Sequence, residues 1–126
     1  CNPKIIMYAR FLFISSLFIV FILSIVNADD IPTFKNLSFD ADKAVHGIIY
    51  FFLAFVGFLC KYKLSDLSLA TLVFMFGLFI EIIHFFHPYR FFEYFDLLAN
   101  LIGVTIALLI IRLKNYLTYW FIFFSP

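Results

Sequence analysis

The sequence predicts an all-α, polytopic membrane protein, and this fold class is indicated by its composition, its long apolar runs and its sparse charge. Of the 126 residues, 65% are hydrophobic and only 13% are charged, and the mean hydropathy is +1.06. A soluble domain usually carries about twice that share of charge. The net charge of +1 and the lack of a basic run with interleaved aromatics give no indication of a nucleic-acid partner. We therefore expect residues 1–126 to form a single membrane domain.

Four apolar runs are long enough to be transmembrane helices, because a helix needs about 20 residues to cross roughly 30 Å of hydrocarbon. We place them at about residues 5–26, 44–60, 67–86 and 94–111. The first run also fits the apolar part of a signal peptide, but it is long for one, so we prefer a retained helix. The aromatic tail at 116–126 is too short to span and predicts an interfacial helix or a partner-docking segment.

Polar residues mark the ends of these runs. Asp42 stands where a carboxylate could cap the second helix, because it can accept hydrogen bonds from the free amides of the first turn. Pro88 prevents the third helix from continuing smoothly. The linker at 29–43 and the turn at 87–93 then lie on the same side of the membrane.

The distribution of lysine and arginine predicts the orientation. With four crossings, one side of the membrane holds Lys4, Arg10, Lys61, Lys63, Arg112 and Lys114, and the other holds Lys35, Lys43 and Arg90. The side richer in these residues is usually cytoplasmic. We therefore expect both termini in the cytoplasm and the 29–43 linker outside.

Polar side chains concentrate at the outer ends of the last three helices and in the turn between two of them. The candidate pocket consists of Asp42, Lys43, His46, Tyr50, Glu81, His84, Arg90, Asp96 and Asn100. Spacings of three or four residues place the members on each helix on one face. A charge at the centre of a membrane helix costs roughly 2.5–3.5 kcal/mol. These residues should therefore face the bundle and find partners there.

Structural roles remain open for several members of this pocket. Glu81 could be a carboxylate locked to Arg90 or His46, Asp42 could act only as a helix cap, and Asn100 could be an interhelical hydrogen-bonding residue. A metal site is a further alternative, because His46, Glu81, His84 and Asp96 are suitable ligands. The Glu-x-x-His spacing occurs in metal sites of helical bundles. That motif is short, and we prefer the interpretation without a metal or any other cofactor.

The order of these residues resembles the VanZ-like family of small integral membrane proteins. The pattern is Asp42-Lys43-x-x-His46-x-x-x-Tyr50, Glu81-x-x-His84, Pro88-x-Arg90 and Asp96-x-x-x-Asn100-x-x-Gly103. The chain departs from it at His84, where the family is expected to have glutamine. The resemblance implies a multi-pass protein of the bacterial cytoplasmic (inner) membrane, with a link to resistance against glycopeptide antibiotics of the teicoplanin type. It implies no particular reaction.

Two functions follow as hypotheses. In the first, the outward pocket binds or modifies a cell-envelope component, such as a lipid-linked or peptidoglycan-related head group. Arg90 and Lys43 would hold an anionic group, and Glu81 or His46 would transfer protons if chemistry occurs.

In the second hypothesis, the chain is a non-enzymatic accessory subunit that docks onto a larger membrane complex through its aromatic surface and tail. Whether the protein is an enzyme is left open. Transport is disfavoured, because the inner segments 69–76 and 104–111 carry no ionisable residue.

Overall fold

The structure of the protein, a computed structural model, describes residues 2–25, 39–86 and 93–125, with only the backbone described at 39–42. These parts of the chain form four α-helices and no strand. They are α1 (Pro3–Ile25), α2 (Phe39–Leu59), α3 (Asp66–Phe86) and α4 (Tyr94–Phe124). The predicted all-α class is confirmed.

Three of these helices, α1, α3 and α4, are long and apolar enough to cross a membrane. The apolar part of α2 is shorter and runs over Lys43–Leu59. Phe13 is the sole buried residue of α1, whose other apolar side chains are largely exposed. An apolar helix with so little buried surface is suited to lipid contact. The fold is thus consistent with an all-α membrane protein, while a crossing by α2 and the orientation stay predictions.

Two helix boundaries differ from those expected. α2 begins at Phe39, so Asp42 lies inside the first turn and is not at the N-cap position; the capping prediction for Asp42 was wrong. The helix starts before the apolar run because charged residues are tolerated in a first turn. α4 continues without a break to Phe124, past the expected end near Ile111. Neither glycine nor proline occurs between Arg112 and Phe124 to interrupt its hydrogen bonds.

The core is organised around α2 and α4, which make the most extensive contact between any two of these helices. They approach most closely at Gly47 and Gly103. A Cβ atom added to Gly103 would overlap the Gly47 carbonyl oxygen and lie 2.9 Å from the Phe51 nitrogen. Toward the C-terminal ends of α2 and α4 the interface is apolar, with Leu53 and Ala107 fully buried. Small residues of this kind let membrane helices pack backbone to backbone.

Two polar clasps fix one end of the bundle, which we call the basal end. Arg10 of α1 donates to the carbonyl oxygens of Cys60 (3.0 Å) and Lys61 (3.4 Å), just past the end of α2. It thereby satisfies carbonyl groups that a helix end leaves unpaired. Arg112 of α4 donates two hydrogen bonds to the carboxylate of Asp66 at the start of α3, at 2.9 and 3.2 Å. The opposite end, formed by the start of α2 and α4 and the end of α1 and α3, is the site end.

We predict that Gly103→Ala destabilises the bundle by roughly 1–3 kcal/mol, the usual cost of overpacking. The reason is that its Cβ has no room against the α2 backbone. The measurement is the unfolding transition in detergent, followed by helical circular dichroism.

Gly47→Ala is the matched control on the other side of the same crossing. A Cβ there would lie an ordinary 3.5 Å from the Ala99 carbonyl oxygen, so this variant should be as stable as the native chain. Equal stability of the two variants would contradict the proposed packing.

Candidate functional site

Lys43 lies at the centre of the site end and joins α2 to the start of α4. Its ammonium group contacts the Asp96 Oδ1 and Glu93 Oε2 atoms. The Lys43 and Asp96 side chains are only 13% and 7% exposed, whereas Glu93 is 43% exposed. A charge buried this far needs a partner of opposite charge. Lys43 is therefore already engaged by two carboxylates.

His46 follows on the same face of α2 and faces the second oxygen of Asp96. The distance from His46 Nε2 to Asp96 Oδ2 is 3.8 Å. Asp96 thus directs one oxygen toward the lysine and the other toward the imidazole. This arrangement fixes the rotation of the carboxylate and leaves Oδ2 facing the interior of the cluster.

Glu81 and His84 form a second buried pair, one turn apart on α3. Their side chains are 1% and 7% exposed, and His84 Nδ1 lies 3.3 Å from Glu81 Oε1. The other ring nitrogen, Nε2, lies 2.9 Å from the backbone carbonyl oxygen of Ser24 at the end of α1. A carbonyl oxygen only accepts, so Nε2 must carry a hydrogen. The Nδ1–Oε1 contact is then attractive only if one further proton sits on either the imidazole or the carboxyl group.

The Lys43–Asp96 ion pair and the Glu81–His84 pair are joined by Glu93, the residue just before α4. The backbone amide of Glu93 donates to Glu81 Oε2 at 3.4 Å, while its side chain holds Lys43. The ligand atoms of His46, Glu81 and Asp96 consequently all lie within 4.8 Å of one another. Three helices therefore bring one titratable group each to one point inside the site end.

A layer of three residues closes the cluster one turn deeper in the bundle. Tyr50, Gly77 and Asn100 each stand four residues from a member of the cluster, and each lies on the basal side of that member. A Cβ added to Gly77 would lie 2.8 Å from Asn100 Nδ2 and 2.9 Å from Tyr50 Cε1. Glycine at this position thus makes room for both polar side chains. The Asn100 side chain is 1% exposed, and its Oδ1 has no donor among the described residues.

Seven of the nine residues predicted for the pocket have described side chains, and all seven lie at the site end or in the layer beneath it. They are Lys43, His46, Tyr50, Glu81, His84, Asp96 and Asn100. Arg90 and the side chain of Asp42 lie outside the described part of the chain. Lys43 was expected to hold an anionic group together with Arg90; its ammonium group contacts the carboxylates of Glu93 and Asp96, and the anion-binding role stays a prediction.

Sequence reasoning missed two contributors to the cluster, Glu93 and the Ser24 carbonyl. Glu93 precedes Asp96 by three residues at the start of α4, and that spacing could have paired it with the same cation. No signal in the sequence indicates Ser24, because its contribution is a backbone oxygen at the end of a helix. Such carbonyls are left unpaired by the helix itself.

The fold and cluster define a general class, an all-α membrane protein with buried ionisable groups at one end of its bundle. Comparison with protein-family models, with curated proteins and with solved structures gives no match. Membership of the VanZ-like family therefore stays a prediction that depends on the ordered residues quoted above.

We predict that Lys43→Met destabilises the protein by roughly 3–5 kcal/mol, because it leaves the buried Asp96 carboxylate without its cation. Adding Asp96→Asn should recover most of this loss, whereas adding Glu93→Gln should recover little, since Glu93 is far more exposed. The measurement is a double-mutant cycle of unfolding free energies in detergent.

Lys63→Met serves as the control, because Lys63 is exposed at the basal end. It should leave stability unchanged. If the two lysine variants have the same stability, the ion pairs of Lys43 contribute nothing to the fold.

Proposed function

We propose that this protein binds the polar head group of a cell-envelope component in its site-end cluster. It would lie in the bacterial cytoplasmic membrane, with the cluster facing outward and both termini in the cytoplasm. The observation that carries the proposal is the convergence of His46, Glu81 and Asp96 from three helices to within 4.8 Å. One ion pair would suffice to fix the order of the helices, so additional buried titratable groups favour a binding role.

The charges of the cluster favour a particular ligand chemistry. Among the described side chains, Glu81, Glu93 and Asp96 face the single ammonium group of Lys43. With the further proton that the Glu81–His84 contact requires, this leaves one uncompensated negative charge. Such a site favours ligand groups that donate hydrogen bonds, such as the hydroxyl groups of a sugar or an ammonium group. A lipid-linked or peptidoglycan-related head group offers donors of this kind.

Chemistry on the bound component would use the proton shared by His84 and Glu81. That pair is buried inside the bundle, and Glu81 lies directly beside the His46 and Asp96 groups. General acid–base catalysis needs a proton donor within hydrogen-bond reach of its target. The VanZ-like resemblance adds the context of glycopeptide resistance, in which the envelope component would be altered or shielded.

The proposal predicts that Glu81→Gln and Arg90→Ala abolish function while leaving the protein in the membrane. The readout is the minimum inhibitory concentration of teicoplanin for a sensitive bacterial host that expresses each variant. Membrane levels are compared by immunoblot. The native chain should raise this concentration and the two variants should not.

Asp66→Asn is the matched control, because Asp66 is a carboxylate at the basal end of the helix that carries Glu81. It should behave as the native chain. Loss of both site variants from the membrane would indicate a purely structural cluster. Full function in Glu81→Gln would contradict the proposal, and a native chain without any effect on resistance would remove the glycopeptide part of it.

A second function, a non-enzymatic accessory subunit, is favoured by the length of α4. The helix has 31 residues, or about 46 Å at roughly 1.5 Å per residue, against a hydrocarbon thickness of roughly 30 Å. A crossing along the membrane normal carries its last turns beyond the hydrocarbon. Those turns expose large apolar side chains: Tyr116, Leu117, Tyr119, Phe121, Ile122, Phe123 and Phe124. A larger membrane protein could cover them.

This second function predicts that deleting residues 116–126 breaks association with a larger complex and spares the fold. The tail of α4 lies beyond the basal clasp formed by Arg112 and Asp66, so its loss should leave the bundle intact. The measurement is the apparent size of the chain after gentle extraction, with and without the tail. A native chain that migrates alone would contradict the docking role.

A further inference from the structure

The cluster formed by His46, Glu81 and Asp96 has the donor types of a metal centre. It offers one imidazole nitrogen and two carboxylates, each from a different helix, within 4.8 Å of one another. In a tetrahedral zinc site, bond lengths of about 2.0–2.1 Å place ligand atoms roughly 3.3 Å apart. His46 Nε2 and Asp96 Oδ2 are already 3.8 Å apart. Small side-chain rotations would therefore bring the three groups into coordination.

A second observation points to a ligand at the same place. Asn100 is 1% exposed, and its Oδ1 accepts no hydrogen bond from the described residues. It stands one turn below Asp96 on the same face of α4, and its amide lies against Gly77, one turn below Glu81. Buried polar oxygens without partners are rare in folded proteins. An amide oxygen in this position can complete a coordination shell.

The groups around the three residues resemble the outer shell that orients metal ligands in other proteins. Lys43 holds Asp96 Oδ1, which leaves Oδ2 toward His46. Glu81 is held by His84 and by the Glu93 amide. Ligating carboxylates are commonly fixed by hydrogen bonds of this kind. The excess of negative charge among the described side chains would also be neutralised by a divalent cation.

We propose that His46, Glu81 and Asp96 bind one divalent transition-metal ion of the zinc type, with the Asn100 carbonyl oxygen as the fourth donor. Imidazole nitrogen favours zinc, cobalt and related ions over magnesium or calcium. This inference goes beyond the proposed head-group binding, because the metal needs no envelope ligand, and either idea can fail without the other.

The test measures cobalt(II) and zinc(II) binding to the purified full chain in detergent. We expect one metal ion per chain after dialysis, measured by elemental mass spectrometry, and cobalt absorption bands typical of low coordination number. Glu81→Gln, Asp96→Asn and His46→Gln should each abolish stoichiometric binding. His84→Ala, which removes the imidazole that holds Glu81, should weaken it by roughly 10-fold or more, as outer-shell changes do. Asp66→Asn should bind as the native chain does.

Folding of the variants is checked by a second measurement on the same samples. His46 is 24% exposed, so His46→Gln should disturb the fold least of the three substitutions. It is the deciding variant if those at the buried positions unfold. Metal should raise the unfolding temperature of the native chain and of Asp66→Asn, but not of His46→Gln, since only a state that binds is stabilised. Substoichiometric binding by the native chain, or equal binding by native chain and His46→Gln, would overturn the proposal.

Discussion

The close approach of α2 and α4 at Gly47 and Gly103 is the constraint on which the site depends. A side chain at Gly103 would meet the α2 backbone, so the two helices can approach this closely only because Gly103 lacks one. This contact sets their axial register. Within two turns toward the site end, the register brings Lys43 and His46 of α2 to opposite oxygens of Asp96. The ion pairs are thus positioned by backbone packing in the layer beneath them, and they add stability to a geometry that depends on the close approach at Gly103.

Burial then decides how the charges are arranged. Each ionisable side chain of the cluster comes from the end of a helix, where partners on neighbouring helices are within reach. Asp96 has Lys43 and His46, and Glu81 has His84 and the Glu93 amide. No single pair accounts for all the carboxylates of the described cluster. A bundle that needed only cohesion could replace such groups with apolar residues at little cost or with a gain in stability. Their presence in this arrangement is the physical reason for proposing a binding role for the site end.

Much of the fold could be predicted from the sequence, because the length of an apolar run and the charges at its ends determine a membrane helix almost locally. The shared faces of His46 with Tyr50 and of Asp96 with Asn100 also followed from helical periodicity alone. The errors have a different origin. The start of α2 and the end of α4 were missed because a helix need not stop where its apolar run stops. Glu93 and the Ser24 carbonyl were missed because partners across helices depend on register, which periodicity within one helix does not contain.

His84 illustrates how a departure from an expected motif can leave a structural role unchanged. The ring joins the end of α1, through the Ser24 carbonyl, to Glu81 on its own helix. A glutamine amide carries two N–H donors and could make the same two contacts without an additional proton. Histidine needs that proton, because its two nitrogens both face acceptors. The substitution therefore keeps the link between α1 and α3 and changes the charge of the cluster by one unit. Any difference in function between this chain and one with glutamine here should follow from charge, since the positions of the helices need not differ.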